Sequence, residues 1–108
     1  MNLYQLVVYI PETHLEAVKT AIFNAGGGRY QNYDMCCWQT CGSGQFRPLD
    51  GSKPFIGETE KLEQVTEWRV EMICKEELLE DVIAALKESH PYEEPAFSYW
   101  LINTKKGR

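Results

Sequence analysis

The strongest constraint on the fold is a strict two-residue alternation of side-chain polarity over residues 66–74. The positions on one side are mostly apolar: Thr66, Trp68, Val70, Met72 and Cys74. The positions on the other side are charged apart from one: Glu67, Arg69, Glu71 and Ile73. This period is typical of a β-strand with one buried and one solvated face, and it favours an antiparallel sheet.

Two segments with helical periodicity follow strand-like segments. Residues 3–10 are rich in β-branched and aromatic side chains and predict a central strand, which ends at Pro11. Thr13 and Glu16 have the spacing of a capping box, and apolar residues then recur at helical spacing up to a glycine stop at residues 26–28. A second amphipathic helix is predicted to begin at residues 76–77 and to stop at Pro91.

The remaining segments complete an alternating pattern. Residues 30–41 predict a second strand, residues 42–44 a turn, residues 45–47 a short returning strand, and residues 48–61 a loop or arm. Residues 96–102 predict the last strand. The order predicts a single α+β domain over residues 1–108, a ferredoxin-like βαββαβ two-layer sandwich with an extra hairpin.

Charge and hydropathy exclude some classes of partner. The formal net charge of −5 argues against a nucleic-acid partner, because such proteins present basic surfaces to the phosphates. No apolar run approaches the roughly 20 residues that span a bilayer, so we expect no membrane association. The N-terminus has no basic region and no small-residue cleavage site, so we expect a cytoplasmic location with reduced thiols.

Four cysteines are candidates for a metal site, and three of them lie close together. Cys36, Cys37 and Cys41 lack the paired Cys-x(2–4)-Cys spacing of structural zinc sites, and Cys74 falls on the apolar side of its strand. We favour buried cysteine as a small hydrophobic residue. A metal-handling protein that uses these cysteines is kept as a third hypothesis.

Large aromatic side chains point to an interface. Tyr9, Trp38, Trp68 and Trp100 cannot all face two short helices, so some of them should lie on the open side or the edge of the sheet. An exposed apolar patch usually marks an interface, and closed symmetric self-association is its simplest partner. Trp38, Trp68 and Trp100 are therefore the interface candidates.

The most unusual stretch is residues 90–95, where His90 is followed by Tyr92, Glu93 and Glu94 between two prolines. One interpretation is a small polar site in which His90 and Glu93 hold a divalent metal ion. The alternative is purely structural, because histidine suits a helix C-terminus and prolines stop a helix or begin an edge strand. No nucleophile with an adjacent base is evident, so we expect no enzyme activity.

A second weak candidate is an anion cradle formed by Gly42-x-Gly44 with Arg47. The segment lacks the Lys-Ser/Thr of a P-loop and the third glycine of a dinucleotide fingerprint. A hairpin turn explains both glycines equally well.

Several motifs occur together in an order that resembles a known domain. They are Ile10-Pro11-x2-His14-x-Glu16-x-Val18, Gly26 to Gly28, Asn32-Tyr33, Gly42-x-Gly44-x-Phe46-x-Pro48-Leu49, Pro54-Phe55-Ile56-Gly57 and His90-Pro91-Tyr92-Glu93-Glu94-Pro95-Ala96. Over essentially the whole chain they resemble the insertion domain of the NGG-interacting-factor-three family, in its YqfO branch, here in a stand-alone form. That domain is similar in fold to PII signalling proteins and to CutA, which form trimers through their sheets.

The resemblance implies a binding function rather than a reaction. The family's dinuclear metal centre lies in a separate body, so its ligands have no counterpart in this sequence. We expect a non-enzymatic, PII/CutA-like homo-oligomer, with a trimer favoured over a dimer, that binds a small ligand or a divalent metal ion at subunit clefts. His90, Tyr92, Glu93 and Glu94 would line the site, and Arg47 with the loop of residues 42–57 would adapt to the ligand. The alternative is a protein-interaction cap that docks on a larger partner without a ligand.

Overall fold

A computed structural model describes residues 2–104. Within this range the elements follow in the order β1 (Leu3–Pro11), α1 (Leu15–Asn24), β2 (Trp38–Phe46), β3 (Glu63–Lys75), α2 (Leu79–Ser89) and β4 (Phe97–Ile102). One turn of 3-10 helix precedes each α-helix, at Glu12–His14 and at Glu76–Leu78. The strands form one antiparallel sheet in the order β2-β3-β1-β4. The predicted ferredoxin-like α+β fold is confirmed, with β1 central.

The core lies between one face of the sheet and the two helices. The sheet contributes fully or almost fully buried side chains from β1 and β3: Leu6, Val8, Ile10, Val70, Met72 and Cys74. The helices contribute Val18, Ile22, Val82 and Leu86, all without solvent exposure. Each such aliphatic side chain contributes about 1.5–3 kcal/mol on burial. The alternation predicted for β3 is thus confirmed at its centre.

The start and the end of α1 differ in how well the sequence predicted them. Gly27 N–H donates to the Ile22 carbonyl at 3.0 Å, which closes the end of the helix as expected. Gly28 has a φ of 76°, and a Cβ there would meet the backbone of Cys36, so glycine is required. The capping box is wrong, because Thr13 lies inside the 3-10 turn and its hydroxyl bonds His14 Nδ1 at 2.8 Å.

The second strand lies further along the chain than predicted. In residues 30–37 the chain folds into a loop, because Tyr30 and Tyr33 exchange backbone hydrogen bonds and Met35 has a φ of 55°. β2 then runs straight through the glycine pair, with Gly42 opposite Glu67 and Gly44 opposite Val65. The predicted turn and extra hairpin at residues 42–47 are therefore wrong.

The long strand β3 extends past the end of β1. Only residues 67–75 of β3 pair with β1, whereas residues 63–66 pair with residues 43–46 of β2. This two-stranded ribbon projects from the sheet and contributes to an elongated molecule of 47 × 24 × 23 Å. Residues 47–62 connect β2 to β3 and fold back toward the body of the domain. We call residues 43–46 with 63–66 the ribbon, and residues 47–62 the arm.

The second face of the sheet, here called the open face, lies opposite the helices. The strand registers place there alternate residues of β1, β3 and β4, among them Val7, Tyr9, Arg69, Trp100 and Ile102. No helix within residues 2–104 is long and apolar enough to cross a membrane.

Candidate functional site

The candidate site lies at the end of the sheet where β1 stops. There the turn between α2 and β4, residues 90–96, wraps around the end of β1. Two hydrogen bonds fix this turn, since His90 N–H donates to the Leu86 carbonyl at 2.9 Å and Tyr9 N–H donates to the Ala96 carbonyl at 3.1 Å. The prolines at 91 and 95 stiffen the segment between these bonds. The turn is therefore a rigid support for the side chains it carries.

His90 is a buried residue whose side chain holds this turn in place. Its side chain is 6% exposed, and Nε2 lies 2.8 Å from the Tyr9 carbonyl, so this nitrogen carries the proton and donates it. Nδ1 accepts from the Tyr92 N–H at 3.2 Å. Burial lowers the pKa of the imidazole, and the hydrogen bond to Tyr9 and the Glu67 charge oppose this effect in part. His90 is thus a neutral residue with both nitrogens engaged.

This geometry does not support the predicted metal site at His90 and Glu93. A metal ion binds the lone pair of a neutral imidazole, and the lone pair on Nδ1 already accepts a backbone hydrogen bond. Among residues 2–104, no three His, Cys, Asp or Glu side chains are grouped so as to hold a metal ion. His90 instead positions Tyr92.

Tyr92 is the centre of a group of rings. Its hydroxyl donates to Glu67 Oε2 at 2.8 Å, and burial together with this carboxylate raises the pKa of the phenol. Its ring centroid lies 5.0 Å from that of His90, 6.1 Å from that of Phe46 and 6.3 Å from that of Phe55. Tyr92 therefore joins the turn to the ribbon and to the arm.

The arm is attached to the body at two points. Lys53 N–H donates to the Glu93 carboxylate, at 2.9 Å to Oε2 and 3.3 Å to Oε1. Two residues further on, the Phe55 ring stands edge-on to the His14 ring at a centroid distance of 5.4 Å. Glu93 thus holds the arm to the turn, because its carboxylate accepts a hydrogen bond from the arm.

A cavity of about 370 Å³ lies between the arm, the ribbon and the turn. Its apolar walls come from the ribbon and the arm: Phe46, Pro48, Leu49, Pro54, Phe55 and Ile56. Tyr92 forms the wall on the body side, and the polar groups are Arg47, Ser52, Glu93 and Glu94. Such a largely apolar pocket with few polar groups is typical of small-molecule sites.

The structure brings together most of the predicted site residues. Arg47, Tyr92, Glu93 and Glu94 all line the cavity, whereas His90 lies behind Tyr92. The predicted adaptable loop is shorter than expected, because residues 42–46 belong to β2 and only the arm is free of regular structure. The anion cradle at Gly42 and Gly44 is wrong for the same reason, since both glycines are in a paired strand.

Sequence reasoning missed the roles of Phe46, Phe55, Ser52 and Glu67. The two phenylalanines stand in motifs of the resemblance, beside Pro48 and Pro54, but a loop has no periodicity that would show where its side chains point. Glu67 looked like an ordinary residue on the solvated side of β3. The nearest signal for its role is Gly44, because a Cβ at that position would collide with the Glu67 carboxylate.

The interface candidates divide between the two faces of the sheet. Trp100 is 43% exposed and lies on the open face, and Trp38 is 69% exposed at the start of the edge strand β2. Trp68 does not belong to this surface, because it pairs with Ile10 on the helix side and packs against the core. Residue 68 lies on the buried side of β3, as the alternation of side chains predicted, and this excludes it from the open face.

The cysteines are separated by the fold. Cys36 and Cys37 are half-buried in the loop before β2, Cys41 is exposed on β2, and all four thiols are free. Cys74 is buried in the core, where burial and, to a smaller degree, the Glu77 charge raise its pKa to about 11. This places Cys74 in the structural role that its alternation predicted.

Comparison with known structures first defines the class. The structure superimposes on CutA from Synechococcus elongatus with a TM-score of 0.65 at 18% identity, over 92% of this chain and 75% of that one. It superimposes on the GlnK–ATP complex of Bacillus subtilis with a TM-score of 0.63 at 8% identity, over 94% and 82% of the two chains. The domain is therefore a PII/CutA-like member of the ferredoxin-like folds.

Closer relatives then define the family. A crystal structure of a Bacillus cereus protein related to NIF3 gives a TM-score of 0.82 at 35% identity, over 95% of this chain and 26% of that chain. The "GTP cyclohydrolase 1 type 2 homolog" of Halalkalibacterium halodurans is 43% identical over 99 residues, which are 92% of this chain and 27% of the relative. No protein-family model matches. The chain spans about a quarter of the length of these relatives, and over that length it is a homologue of the insertion domain of the NGG-interacting-factor-three family.

Proposed function

We propose that this domain is a non-enzymatic, self-associating binding module of the cytoplasm that holds a small ligand in the cavity between the arm and residues 92–94. A homotrimer formed through the open face is the favoured assembly. The observation that carries the proposal is the cavity of about 370 Å³, with apolar walls and with the charged groups of Arg47 and Glu94, which have no partner within residues 2–104.

Self-association is supported by the uncovered sheet face. Both helices cover the same side of the sheet, so the open face has no second layer. Trp100 is exposed there and Trp38 at its edge, whereas Val7 is already buried in the single chain. The open face also carries charged residues of β3, Glu67, Arg69 and Glu71. Exposed aromatic side chains on a sheet face without a second layer are typical of an interface, and copies of the same chain form the simplest closed assembly. The PII/CutA-like fold supports the same arrangement, because the resemblance implies trimers formed through sheets.

The polar groups near the cavity favour binding over catalysis. The nitrogens of His90 are both hydrogen-bonded, and burial and Glu67 keep the Tyr92 phenol protonated. A general base needs a free lone pair at the working pH, and neither residue offers one. This supports a module that recognises a molecule without transforming it.

Light scattering coupled to size exclusion tests the proposed assembly. We expect a trimer for the native chain and a monomer for Trp100→Glu, because the new charge would have to be buried in the interface. Tyr33→Glu is the matched control, since Tyr33 is a 60% exposed aromatic residue of the loop before β2 and should leave the trimer intact. A native chain that stays monomeric across micromolar concentrations would remove the proposal.

A second candidate function is a protein-interaction cap that docks on a larger partner without a ligand. It is favoured by one finding, that the matching segment makes up only 27% of the curated relative and there adjoins a larger polypeptide. In this case Trp100→Glu should abolish partner binding, whereas Glu93→Gln with Glu94→Gln should leave it unchanged. Partner binding that survives Trp100→Glu but is lost with Glu93→Gln and Glu94→Gln would favour the ligand-binding module.

A further inference from the structure

We propose that the cavity binds a zwitterionic α-amino acid with a large apolar side chain. The inference rests on the proposed function, in which the cavity holds a small ligand, and it names the chemical class of that ligand. Two features carry it: the aromatic walls, and the opposite charges of Arg47 and Glu94, which have no partner within residues 2–104.

The walls select an apolar, preferably aromatic, body. Phe46 and Phe55 stand on either side of Tyr92, with centroid distances of 6.1 and 6.3 Å and tilted rings. Aromatic side chains attract a further ring in offset or edge-on geometry, beyond the simple gain from burial. The cavity is large enough for one such side chain and lies at the small end of the usual range for ligand sites.

The charged groups select a carboxylate and an ammonium group on the same molecule. Arg47 and Glu94 both line the cavity, and among residues 2–104 neither forms a hydrogen bond or an ion pair. A guanidinium binds a carboxylate through two parallel hydrogen bonds, and a carboxylate binds an ammonium group through a charge-assisted one. A ligand that carries both a carboxylate and an ammonium group can therefore pair with Arg47 and with Glu94.

Other ligand charges fit less well. The carboxylates of Glu93 and Glu94 oppose a polyanion such as a nucleoside triphosphate, because like charges across an interface cost free energy. A ligand with one charge would leave either Arg47 or Glu94 without a counterpart. Glu93 accepts one hydrogen bond from the Lys53 N–H, and its negative charge adds to the attraction of Glu94 for an ammonium group.

The test compares four compounds by isothermal titration calorimetry on the complete chain: L-tryptophan, L-phenylalanine, 3-phenylpropionate and phenethylamine. The last two retain the ring but lack the ammonium and the carboxylate group, respectively. We expect both amino acids to bind about tenfold or more tightly than either analogue, as expected for the loss of one charge-assisted hydrogen bond. Equal binding of L-phenylalanine and both analogues would overturn the assignment.

Variants locate the binding in this cavity. Arg47→Gln and Glu94→Gln should each weaken binding of the amino acids by about tenfold. Lys61→Gln and Glu58→Gln are matched controls in the same arm, because their side chains pair with each other at 2.7 Å and not with the cavity. Amino-acid affinity that is insensitive to the first two substitutions would also overturn the proposal.

Light scattering on the same samples separates this inference from the proposed function. An oligomer that binds the analogues as tightly as the amino acids, or none of the compounds, overturns the amino-acid assignment alone. A monomer that binds none of them overturns both.

Discussion

At the scale of single residues, His90 links the stability of the fold to pH. The pKa of its imidazole is lowered in the folded chain, so the unfolded chain takes up a proton first as the pH falls below about 6.5. Well above that pH, His90 is neutral in both the folded and the unfolded chain, so it makes its full contribution to the free energy of unfolding. Below it the free energy of unfolding decreases until the folded pKa is reached.

This linkage predicts a measurable slope. Between pH 6.5 and 5.5 the free energy of unfolding should fall on account of His90, by at most about 1 kcal/mol. His90→Asn should remove that part of the slope while remaining less stable than the native chain at pH 7.5. Urea unfolding at several pH values measures both curves. Parallel curves for the two proteins would contradict a neutral buried His90.

Two glycines of β2 offer a comparison at neighbouring positions on the same side of one strand. A Cβ at Gly42 would meet no atom within 4 Å, whereas a Cβ at Gly44 would collide with the Glu67 carboxylate. The Glu67 carboxylate would then have to move away from the Tyr92 hydroxyl, from which it accepts a hydrogen bond at 2.8 Å. Gly44 thus makes room for the bond that holds Tyr92.

Gly44→Ala should therefore be less stable than Gly42→Ala by about 1 kcal/mol or more, the usual effect of losing a hydrogen bond to a charged group. Gly42→Ala should be neutral or slightly stabilising, because alanine reduces the freedom of the unfolded chain. Thermal unfolding of both variants beside the native chain measures the difference. Equal stabilities would mean that Glu67 moves without cost.

At the scale of elements, regular periodicity determined which parts could be predicted. β1, β3 and both helices carry an unbroken apolar pattern, and their places in the two-layer fold followed from it. β2 has glycines at 42 and 44, and glycine usually marks turns, so the local signal favoured a hairpin. Pairing with β3 outweighed that preference, and such long-range pairing is not visible in local sequence.

The sequence predicted that the arm has no regular secondary structure, but it did not predict where the arm packs on the domain. Its attachment depends on Lys53 and Glu93, which are 40 positions apart in the sequence. Residues of the turn could be identified because the prolines and the family resemblance mark them, whereas the ring contacts of Phe46 and Phe55 arise only when the arm folds back.

The attachment at Glu93 makes a prediction for the arm. Glu93→Ala should speed amide hydrogen exchange at Lys53 by about tenfold, because its N–H loses a charged acceptor. Glu94→Ala is the matched control, since the neighbouring carboxylate makes no hydrogen bond within residues 2–104 and should leave that amide protected. Exchange measured by NMR on both variants decides the point, and unchanged protection in Glu93→Ala would show that Phe55 alone holds the arm.

At the scale of the whole molecule, one covered and one uncovered sheet face lead us to predict that stability depends on assembly. If copies bury the open face, folding and association are linked by mass action. The melting temperature should then rise by about 4 °C for each tenfold increase in protein concentration. Trp100→Glu should abolish this dependence in differential scanning calorimetry, and Tyr33→Glu should retain it. A melting temperature that is independent of concentration in the native chain would argue for a stable monomer.

One wall of the cavity lies on the ribbon and another on the body of the domain. Phe46 stands on the ribbon, beyond the end of β1, whereas Tyr92 is held to the body through His90 and Glu67. A bend or twist of the ribbon would change the distance between these two rings and with it the width of the cavity. We therefore expect a protein that binds the ribbon to change the affinity of the cavity for its ligand, and by reciprocity a ligand in the cavity to change the affinity of the ribbon for that protein.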